Sequence, residues 1–566
     1  MTKASELKYK RYTIEEGKRA FALFKDAVSR ATTADEVLRA RDAFLTEIGH
    51  YKTATALANC RFTLNTRDEF YQGEVDYYDE VGPEISSLMT EFASIMLTSP
   101  YRAELEVRLN PEIYKSYEVQ CKAFSPLIVE DAKKENSLVT EYSKLMSEME
   151  FEFEGKKLPL SSLRGYLTHE DRCVRRSAAE AIGRGLEKNC EKLDGIFDEL
   201  VKVRTVMARK MGYANFIELG YHRMGRTGYN REMVEKFRDN VKNTLVPVVL
   251  RLKENLRERF GWERVMFYDD DIYLEGEAPD PIVDTEGIFK AAVEMYDEMS
   301  ELTGKFMRKM IDTEAFDVEA RDGKWGGGFC TSFPDYNQSF ILANFNGTAA
   351  DLDVITHEFG HALAYDFVFK EGDRELDLGG METAECHSMS MEFLAWPYME
   401  KFLGSRADSY RLKHMLDALS FIPYGVIVDE FQHEVYSHPE YTPKKRKELY
   451  CRLEEKYRPY ISYSSIPYLE EGTRWQYQMH IYETPFYYID YCLAGTVAFG
   501  FLVKSREDYK AAFEDYIAFI RKGGTEPFQK LVSDAGIASP FKDGALDKVA
   551  ESALKIEREL SEKLKA

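Results

Sequence analysis

The stretch "DVITHEFGHALAYDF", from Asp353 to Phe367, contains two histidines four residues apart with a glutamate directly after the first. His357, Glu358 and His361 fit the pattern H-E-x-x-H. On a helix, positions i and i+4 face the same way, so both imidazoles can bind one metal ion from adjacent turns. Glu358 lies about 100° further round the helix axis, where its carboxylate can reach a water molecule without binding the ion. The stretch therefore predicts a helix that carries a catalytic zinc site.

A second histidine pair shows why the spacing matters. In "FQHEVYSHPEY", His433 and Glu434 are followed by His438, five residues after the first histidine. This offset turns the second imidazole about 140° away from the first, so the two cannot share an ion from one helix. We interpret the stretch as a helix end, stopped by Pro439. The other histidines have no such pairing and are expected to be structural or surface residues: His50, His169, His222, His387 and His414.

A catalytic zinc ion usually has three protein ligands and one open position. The stretch "METAECHSMSMEFLAWPYM", which begins at Met381, is apolar on almost all sides and predicts a buried helix. Three glutamates lie along one side of it: Glu382, Glu385 and Glu392. Carboxylates are rarely buried unless they are paired or metal-bound, so the third ligand is expected among them. Spacing does not choose between the three, and at least one is expected to pair with an arginine or lysine on a neighbouring helix.

The composition excludes several classes of partner. The chain of 566 residues carries a formal net charge of −22, with 98 acidic side chains against 76 basic ones. Such a surface repels phosphate backbones and anionic lipids, so neither nucleic acid nor a membrane is an expected partner. No obligate protein partner is evident either.

Three observations indicate a soluble, cytoplasmic protein. The first residues, "MTKASELKYKRYTIEEGKRAF", lack the apolar core of a signal peptide. The most apolar stretch, Tyr487 to Val503, is too short to span a membrane and contains Asp490, so it predicts a buried helix. The eight cysteines are scattered without a C-x-x-C pair, which is typical of reduced core residues.

Most of the chain has the spacing of amphipathic helices, as in the stretches Ile14 to Tyr51, Glu69 to Leu97 and Ala132 to Phe151. The segment "FEFEGKKLPLSSL" interrupts this pattern, and its Gly155 and Pro159 predict a short hairpin or turn. We therefore expect an N-terminal helical region over residues 1–160 and a catalytic domain over residues 161–566.

One further segment departs from helical spacing. The segment "KWGGGFCTSFPDYNQSFILANFNGT", from Lys324 to Thr348, predicts two short strands. The fold expected from the whole chain is therefore mainly α, with one small sheet beside the zinc-binding helix.

Together these residues resemble the thimet oligopeptidase family of zinc metallopeptidases, and specifically its oligoendopeptidase F branch. The resemblance rests on "HEFGHA" followed by "ETAECHSMSMEFL", on "KVRTVMARKMGYANFIELGYHRMGR", on "GGGF" and "ANFNGT", and on "HIYETPFYYIDYCLAG", which occur in the family's order. It covers roughly Leu160 to Pro540. It implies two helical lobes that enclose a deep substrate channel, with a zincin-like site at its floor. Such a channel would admit short, unstructured peptides and exclude folded proteins.

The resemblance also implies roles for particular residues. His357, His361 and Glu385 would bind one zinc ion, and Glu358 would be the general base. Glu382 would be a candidate to orient one of the ligands, an arrangement common around metal sites. The zinc ion would polarise the scissile carbonyl and activate a water molecule. Sites of this type also accept other divalent ions.

The C-terminal segment supplies further candidates. Thr484 and Pro485 predict a helix start, after which Tyr487 and Tyr491 fall on one face. In the family, a histidine and tyrosines of this region hydrogen-bond the scissile carbonyl and its oxyanion. Carried over, these roles fall to His480 and Tyr487, with Tyr491 next as a substrate-binding residue. Tyr482 and Tyr488 are the alternatives for these roles. The interpretation without a functional role is a tyrosine-rich core helix.

The glycine-rich strand is the other candidate for contact with substrate. Three consecutive glycines allow close approach of a backbone, and an exposed strand edge can pair with an extended peptide. Gly327, Gly328 and Phe329 are therefore predicted to bind substrate, against the alternative of a tight bend without a ligand.

The expected function is zinc-dependent hydrolysis of internal peptide bonds in short peptides. One alternative is a helical zinc carboxypeptidase that removes terminal residues. A more distant alternative is a non-catalytic helical protein that binds peptides.

Overall fold

The computed structural model describes residues 2–276, 278–371 and 375–565, with the backbone alone for Glu371. Helices occupy 73% of the chain, and the sheets are small. The prediction of a mainly α fold is therefore confirmed. Among the described helices, none has the length and apolarity that crossing a bilayer requires.

Five helices form an N-terminal lobe with hydrophobic cores of its own. They are α1 (Ile14–Arg30), α2 (Ala34–Leu64), α3 (Glu69–Thr98), α4 (Arg102–Arg108) and α5 (Pro111–Ala123). Phe24, Phe44 and Phe92 are buried between these helices. The single helical stretch predicted from Ile14 to Tyr51 is broken after α1, because the side chain of Thr33 accepts a hydrogen bond from the Glu36 N–H and caps α2.

A larger helical body follows, built around one continuous core. Its helices are α6 (Val129–Glu148), α7 (Leu160–Gly165), α8 (Arg172–Glu187), α9 (Cys190–Lys210), α10 (Phe216–Arg223), α11 (Arg231–Asn240), α12 (Val246–Arg259), α13 (Thr285–Met299), α14 (Glu301–Asp312), α15 (Ala350–Glu371), α16 (Met381–Leu394), α17 (Glu400–Leu403), α18 (Ala407–Ser437), α19 (Pro443–Tyr457), α20 (Met479–Glu483), α21 (Tyr488–Glu507), α22 (Tyr509–Lys522), α23 (Phe528–Asp534) and α24 (Asp547–Lys565). The apolar stretch that predicted a buried helix corresponds to α21.

The hairpin predicted near Gly155 consists of β1 (Phe151–Phe153) and β2 (Lys156–Leu158). The boundary proposed at residue 160 falls just after it and stays a prediction.

The second sheet contains β3 (Phe316–Glu319), β4 (Phe329–Phe333) and β5 (Gln338–Phe345), in the order β3-β5-β4. The two strands predicted between Lys324 and Thr348 are β4 and β5, an antiparallel pair. The four-residue β3, parallel to β5, was not predicted from the sequence. Strand β4 lies at the edge of this sheet.

One small apolar cluster and several polar contacts join the lobe to the body. Leu57 and Cys60 of α2 pack on Phe333 and Phe340 of the sheet. Ion pairs between the same two parts include His50–Asp335, Lys52–Asp377 and Arg41–Glu375. The lobe is therefore attached along α2, and its helices α3 and α5 also contact α6 and α10 of the body.

Helices α15 and α16 cross at Gly360, where their backbones come close together. A Cβ atom at Gly360 would lie 2.4 Å from the carbonyl oxygen of His387 and 2.8 Å from the Cα of Ser388. One residue before Gly360 on α15, the ring of Phe359 stacks on Tyr296 with 3.7 Å between centroids. The position of α16 relative to α15 thus depends on the missing side chain of Gly360.

We predict that Gly360→Ala lowers the free energy of unfolding by about 1–3 kcal/mol, because the added methyl group overpacks the crossing. It should also displace Glu385 and weaken metal binding. Gly73→Ala in α3 is the control, since no heavy atom lies within 4 Å of the Cβ atom it would add. Thermal unfolding and metal titration of both variants measure the effect, and equal behaviour of the two would contradict the role of the crossing.

Candidate active site

The structure brings together the three residues expected to hold a metal ion. His357 and His361 lie on adjacent turns of α15, and Glu385 lies on α16. Glu385 Oε2 is 3.4 Å from His357 Nε2 and 3.6 Å from His361 Nε2. One ligand atom from each residue lies within 4.8 Å of the other two. Zinc binds nitrogen and carboxylate oxygen at about 2.0–2.2 Å, so this donor set suits such an ion in both chemistry and spacing.

Glu358 is buried beside these ligands. It is 8% exposed, and its Oε2 atom has no hydrogen-bond partner among the described residues. Burial raises the pKa of the Glu358 carboxyl above its ordinary value, although the neighbouring histidines oppose this shift. A carboxylate in such surroundings accepts a proton more readily than one in water, as a general base must.

A hydrogen-bonded chain holds His357 in place from the side away from the ligands. Its Nδ1 atom is 2.6 Å from Glu392 Oε1, and the second oxygen of Glu392 is 2.8 Å from His414 Nε2. Trp396 donates its indole N–H to His414 Nδ1 at 3.0 Å. Because that nitrogen accepts, His414 donates from Nε2 to Glu392, and His357 can donate from Nδ1. The Nε2 lone pair of His357 is then left available for a metal ion.

The charges along this series of hydrogen bonds stabilise each other. Burial works against ionisation of Glu392, but the hydrogen bonds from His357 and His414 hold the pKa of its carboxyl below the ordinary value. For His357, the hydrogen bonds to Glu385 and Glu392 overcome burial and raise the pKa of the imidazole. The ligands therefore lie in strongly negative surroundings, which attract a cation.

Two expectations about the glutamates of α16 are wrong. The carboxylate that orients a ligand is Glu392, whereas Glu382 lies near the Tyr229 hydroxyl, 3.4 Å away, and orients no ligand. None of the three glutamates forms an ion pair with arginine or lysine in the described ranges. Glu385 and Glu392 instead contact histidines. The side chain of His414 was missed because nothing in its sequence spacing connects it to α15.

His480 and Tyr487 lie on the other side of Glu385. Tyr487 donates its hydroxyl hydrogen to Glu385 Oε1 at 2.6 Å, and its ring centroid is 5.7 Å from that of His480. Gln478 uses its oxygen to accept from Tyr424, so its amide N–H donates to His480 Nδ1 at 2.9 Å. His480 therefore carries its hydrogen on Nε2, free to donate to another group. Burial lowers the pKa of His480 to about 4, so the ring is neutral at neutral pH.

The neighbouring tyrosines differ in position. Tyr491 packs on Tyr487 with 4.9 Å between ring centroids. Tyr482 is fully buried, stacks on Tyr142 and donates to the carbonyl of Leu193, so it lies outside the site. Tyr488 is buried between Phe421 and Tyr424.

The helix start predicted at Thr484 is wrong. Phe486 has φ +69°, which no helix accommodates, and α21 begins only at Tyr488. Tyr487 therefore precedes the first turn of the helix.

The glycine-rich segment lies alongside α15. A Cβ atom at Gly328 would be 3.4 Å from the Leu342 carbonyl oxygen and 3.9 Å from a methyl group of Val354. The ring of Trp325 covers Gly327, where a Cβ atom would be 1.9 Å from it. Phe329 begins the edge strand β4 and packs against the small apolar cluster under α2. Contact of Gly327, Gly328 and Phe329 with substrate stays a prediction.

A cavity of about 720 Å³ separates the N-terminal lobe from the helical body. Helices α2 and α5 line it on one side, and Ser332 at the end of β4 lines it on the other. Val368 and Phe369 at the end of α15 also line this cavity. The cavity therefore lies beside the C-terminal ends of β4 and α15.

Comparisons with known proteins find related peptidases. Residues 166–551 match the description "Peptidase family M3", and residues 4–124 match "Peptidase M3 N-terminal domain". Oligopeptidase PepF of Bacillus subtilis (strain 168) is 22% identical over 578 aligned residues, which cover 94% of this chain and 81% of that protein.

Solved structures show the same arrangement over the whole chain. PZ peptidase A, determined with an inhibitor, is 41% identical with a TM-score of 0.93, and 99% of each chain is covered. A protein assigned as an oligoendopeptidase F is 42% identical with a TM-score of 0.94 over 99% of each chain.

We predict that Glu392→Gln weakens binding of a divalent metal by about 10- to 100-fold, because the partner that orients His357 loses its charge. Glu382→Gln, which also neutralises a buried carboxylate of α16, should leave the affinity within about twofold. Competition with a chromogenic chelator measures both affinities. A larger loss in the second variant would contradict the assignment of Glu392.

Proposed function

Because the chain belongs to peptidase family M3, we propose that it is a zinc-dependent oligoendopeptidase that hydrolyses internal bonds of short, unstructured peptides. One observation carries the proposal furthest. The ligand atoms of His357, His361 and Glu385 converge within 4.8 Å, and the buried, unpartnered carboxylate of Glu358 follows directly after the first of them.

We assign one metal ion to this site and propose zinc. Two imidazoles and one carboxylate are a common ligand set of catalytic zinc, which leaves a fourth position open. Other divalent ions can bind the same donors. When bound, zinc supplies a Lewis acid that polarises a carbonyl and lowers the pKa of a water molecule towards ~7.

Glu358 moves the proton in the proposed reaction. Its carboxylate takes a proton from the attacking water and later delivers it to the departing amine. The raised pKa of Glu358 suits both transfers, because the group must hold the proton between them. Its unpartnered oxygen is available for this role without first breaking a hydrogen bond to the protein.

His480 and Tyr487 are the proposed donors to the oxyanion. His480 is neutral and directs no charge at the site, and its Nε2–H is available, since Nδ1 accepts from Gln478. The Tyr487 hydroxyl donates a hydrogen bond to Glu385 in this structure. It would donate to the substrate oxygen instead when a peptide is bound. Loss of one such donor typically costs ~10²–10³-fold in rate.

An extended substrate has a place beside these groups. Strand β4 pairs with β5 on one side, which leaves its other edge for strand addition by a peptide. Gly327, Gly328 and Phe329 would contact that peptide, with Tyr491 beside the scissile bond. The cavity between the N-terminal lobe and the body would bind the rest of the peptide.

The proposed partners are therefore short peptides. The net charge of −22 speaks against nucleic acid. We also propose a cytoplasmic location, since all eight cysteines are free thiols in the structure and a reducing compartment would keep them so.

We predict that Glu358→Gln retains the metal but loses at least ~10²-fold in kcat, because the general base is removed and the ligands are not. His357→Ala should lose both metal and activity. Glu434→Gln is a matched control, since this glutamate also follows a histidine but lies away from the ligands on α18. Metal content and peptide turnover of the three variants test this prediction. Near-normal turnover by Glu358→Gln would rule out the mechanism.

We further predict internal cleavage of an internally quenched peptide blocked at both ends. Cleavage should stop with a chelator and return with zinc, and mass analysis should locate the cut between interior residues. Release of single terminal residues from unblocked peptides alone would favour the carboxypeptidase alternative. Binding of peptides without any cleavage by the metal-loaded protein would favour a non-catalytic function.

A further inference from the structure

Arg474 is a partly buried arginine with unused hydrogen-bond donors. Its Nε and Nη1 atoms are buried and have no partner among the described residues. The guanidinium lies over the ring of Tyr424, 3.7 Å from the centroid, with Phe267 5.5 Å away. Stacking holds the group in place but satisfies none of its five N–H donors. A buried donor without an acceptor is costly and is expected to serve a function.

Arg474 lines a cavity of about 350 Å³ near the candidate metal site. Glu392, the partner of His357, lines the same cavity, and so does Phe421. The ring of Phe421 lies 6.2 Å from that of Tyr491. The cavity is therefore next to the groups proposed to surround the scissile bond.

The acidic residues of this cavity do not neutralise Arg474. They are Asp270, Asp271, Asp353, Glu392 and Asp417. Lys253 lies 2.9 Å from Asp270, and Lys413 pairs with Asp417. Tyr410 donates to Asp353, and Glu392 contacts His357 and His414. Asp271 forms no ion pair within 4.0 Å among the described residues, so its charge acts on Arg474 only from a distance. The guanidinium thus remains available for an anionic group from outside the chain.

The direction of β4 indicates which end of a peptide reaches this cavity. The strand begins after Gly328, which neighbours Val354 near the start of α15. It ends near Val368, which lines the large cavity together with Ser332. A peptide that pairs antiparallel to β4 therefore places its C-terminal part near the start of α15. Asp353, directly before Val354, lines the cavity of Arg474.

We propose that Arg474 binds the C-terminal carboxylate of the peptide substrate. The inference rests on the proposed peptidase function and adds to it a specificity for the free end of the chain. A guanidinium binds a carboxylate through two parallel N–H···O bonds, and these bonds are strong where water is excluded. The carboxylate of an acidic side chain would use the same chemistry.

The proposal gives the enzyme a fixed length of substrate beyond the cut. When the C-terminal carboxylate is bound at Arg474, the number of residues between it and the scissile bond is set by the distance to the metal ligands. Peptides of different length should then be cut at a constant position counted from the C-terminus.

The test compares internally quenched peptides that differ only in a C-terminal carboxylate or amide. We expect the wild-type protein to cleave the free acid about 10- to 100-fold more efficiently in kcat/KM, as loss of a charge-assisted hydrogen bond typically gives. Arg474→Gln should lower kcat/KM for the acid to the value for the amide, mainly through KM, and leave the amide unchanged. It should also abolish the constant cutting position.

Three further variants keep the test decisive if packing is disturbed. Arg474→Lys retains the charge and should recover part of the preference for the acid. Asp271→Asn removes a nearby negative charge and should raise kcat/KM for the acid by about two- to fivefold. Arg452→Gln, on the exposed side of α19, is the control and should behave as wild type. Thermal unfolding and metal content verify that each variant is folded.

The possible outcomes distinguish failure of this inference from failure of the proposed peptidase function. If an acidic side chain near the C-terminus of the amide restores the rate and Arg474→Gln removes that gain, carboxylate binding is upheld with the side chain as its source. If wild type cleaves acid and amide equally, or Arg474→Gln slows both equally, the inference is overturned although the peptidase stands. If neither peptide is cleaved by metal-loaded protein, the proposed function itself fails.

Discussion

The crossing of α15 and α16 is the constraint on which the site depends. His357 and His361 come from one helix and Glu385 from the other, so the ligand atoms meet only if the two backbones approach closely. Gly360 permits that approach, since even one methyl group would collide with the backbone of α16. Stacking of Phe359 on Tyr296 also holds α15 in place. Close packing of this kind fixes ligand positions better than a flexible loop could.

The buried carboxylates around this crossing are paired, with one informative exception. Glu392 takes hydrogen bonds from two histidines, and Tyr487 donates to Glu385. Glu358 alone of these carboxylates keeps a buried oxygen without a partner in the described chain. Folding alone would favour satisfying that oxygen, because an unpaired buried acceptor costs free energy. The arrangement is understandable if the group is kept for a reacting molecule.

The sequence predicted the parts of the site that depend on local spacing. The pair His357 and His361 follows from helical periodicity, and the apolar character of α16 indicated that its glutamates are buried for a reason. How the two helices cross decides which glutamate lies beside the two histidines and which one holds His357 in place. No local sequence pattern encodes this crossing. His414 lies far from α15 in the chain, and its link through Glu392 is a tertiary contact. The helix start at Thr484 failed for a local reason, the left-handed backbone of Phe486.

The separate cores of the N-terminal lobe have a consequence for cooperativity. Apolar burial connects the lobe to the body through the small cluster around Leu57 and Phe333, and helices α3 and α5 also contact α6 and α10. Exposed polar pairs such as His50 and Asp335 lie between the two parts as well. Most apolar burial lies within the separate cores, so separating the two parts exposes less apolar surface than unfolding the cores. Added salt screens the exposed polar pairs but not the cores. We therefore expect ionic strength to affect the contacts across the cavity between the lobe and the body more than the packing around His357, His361 and Glu385.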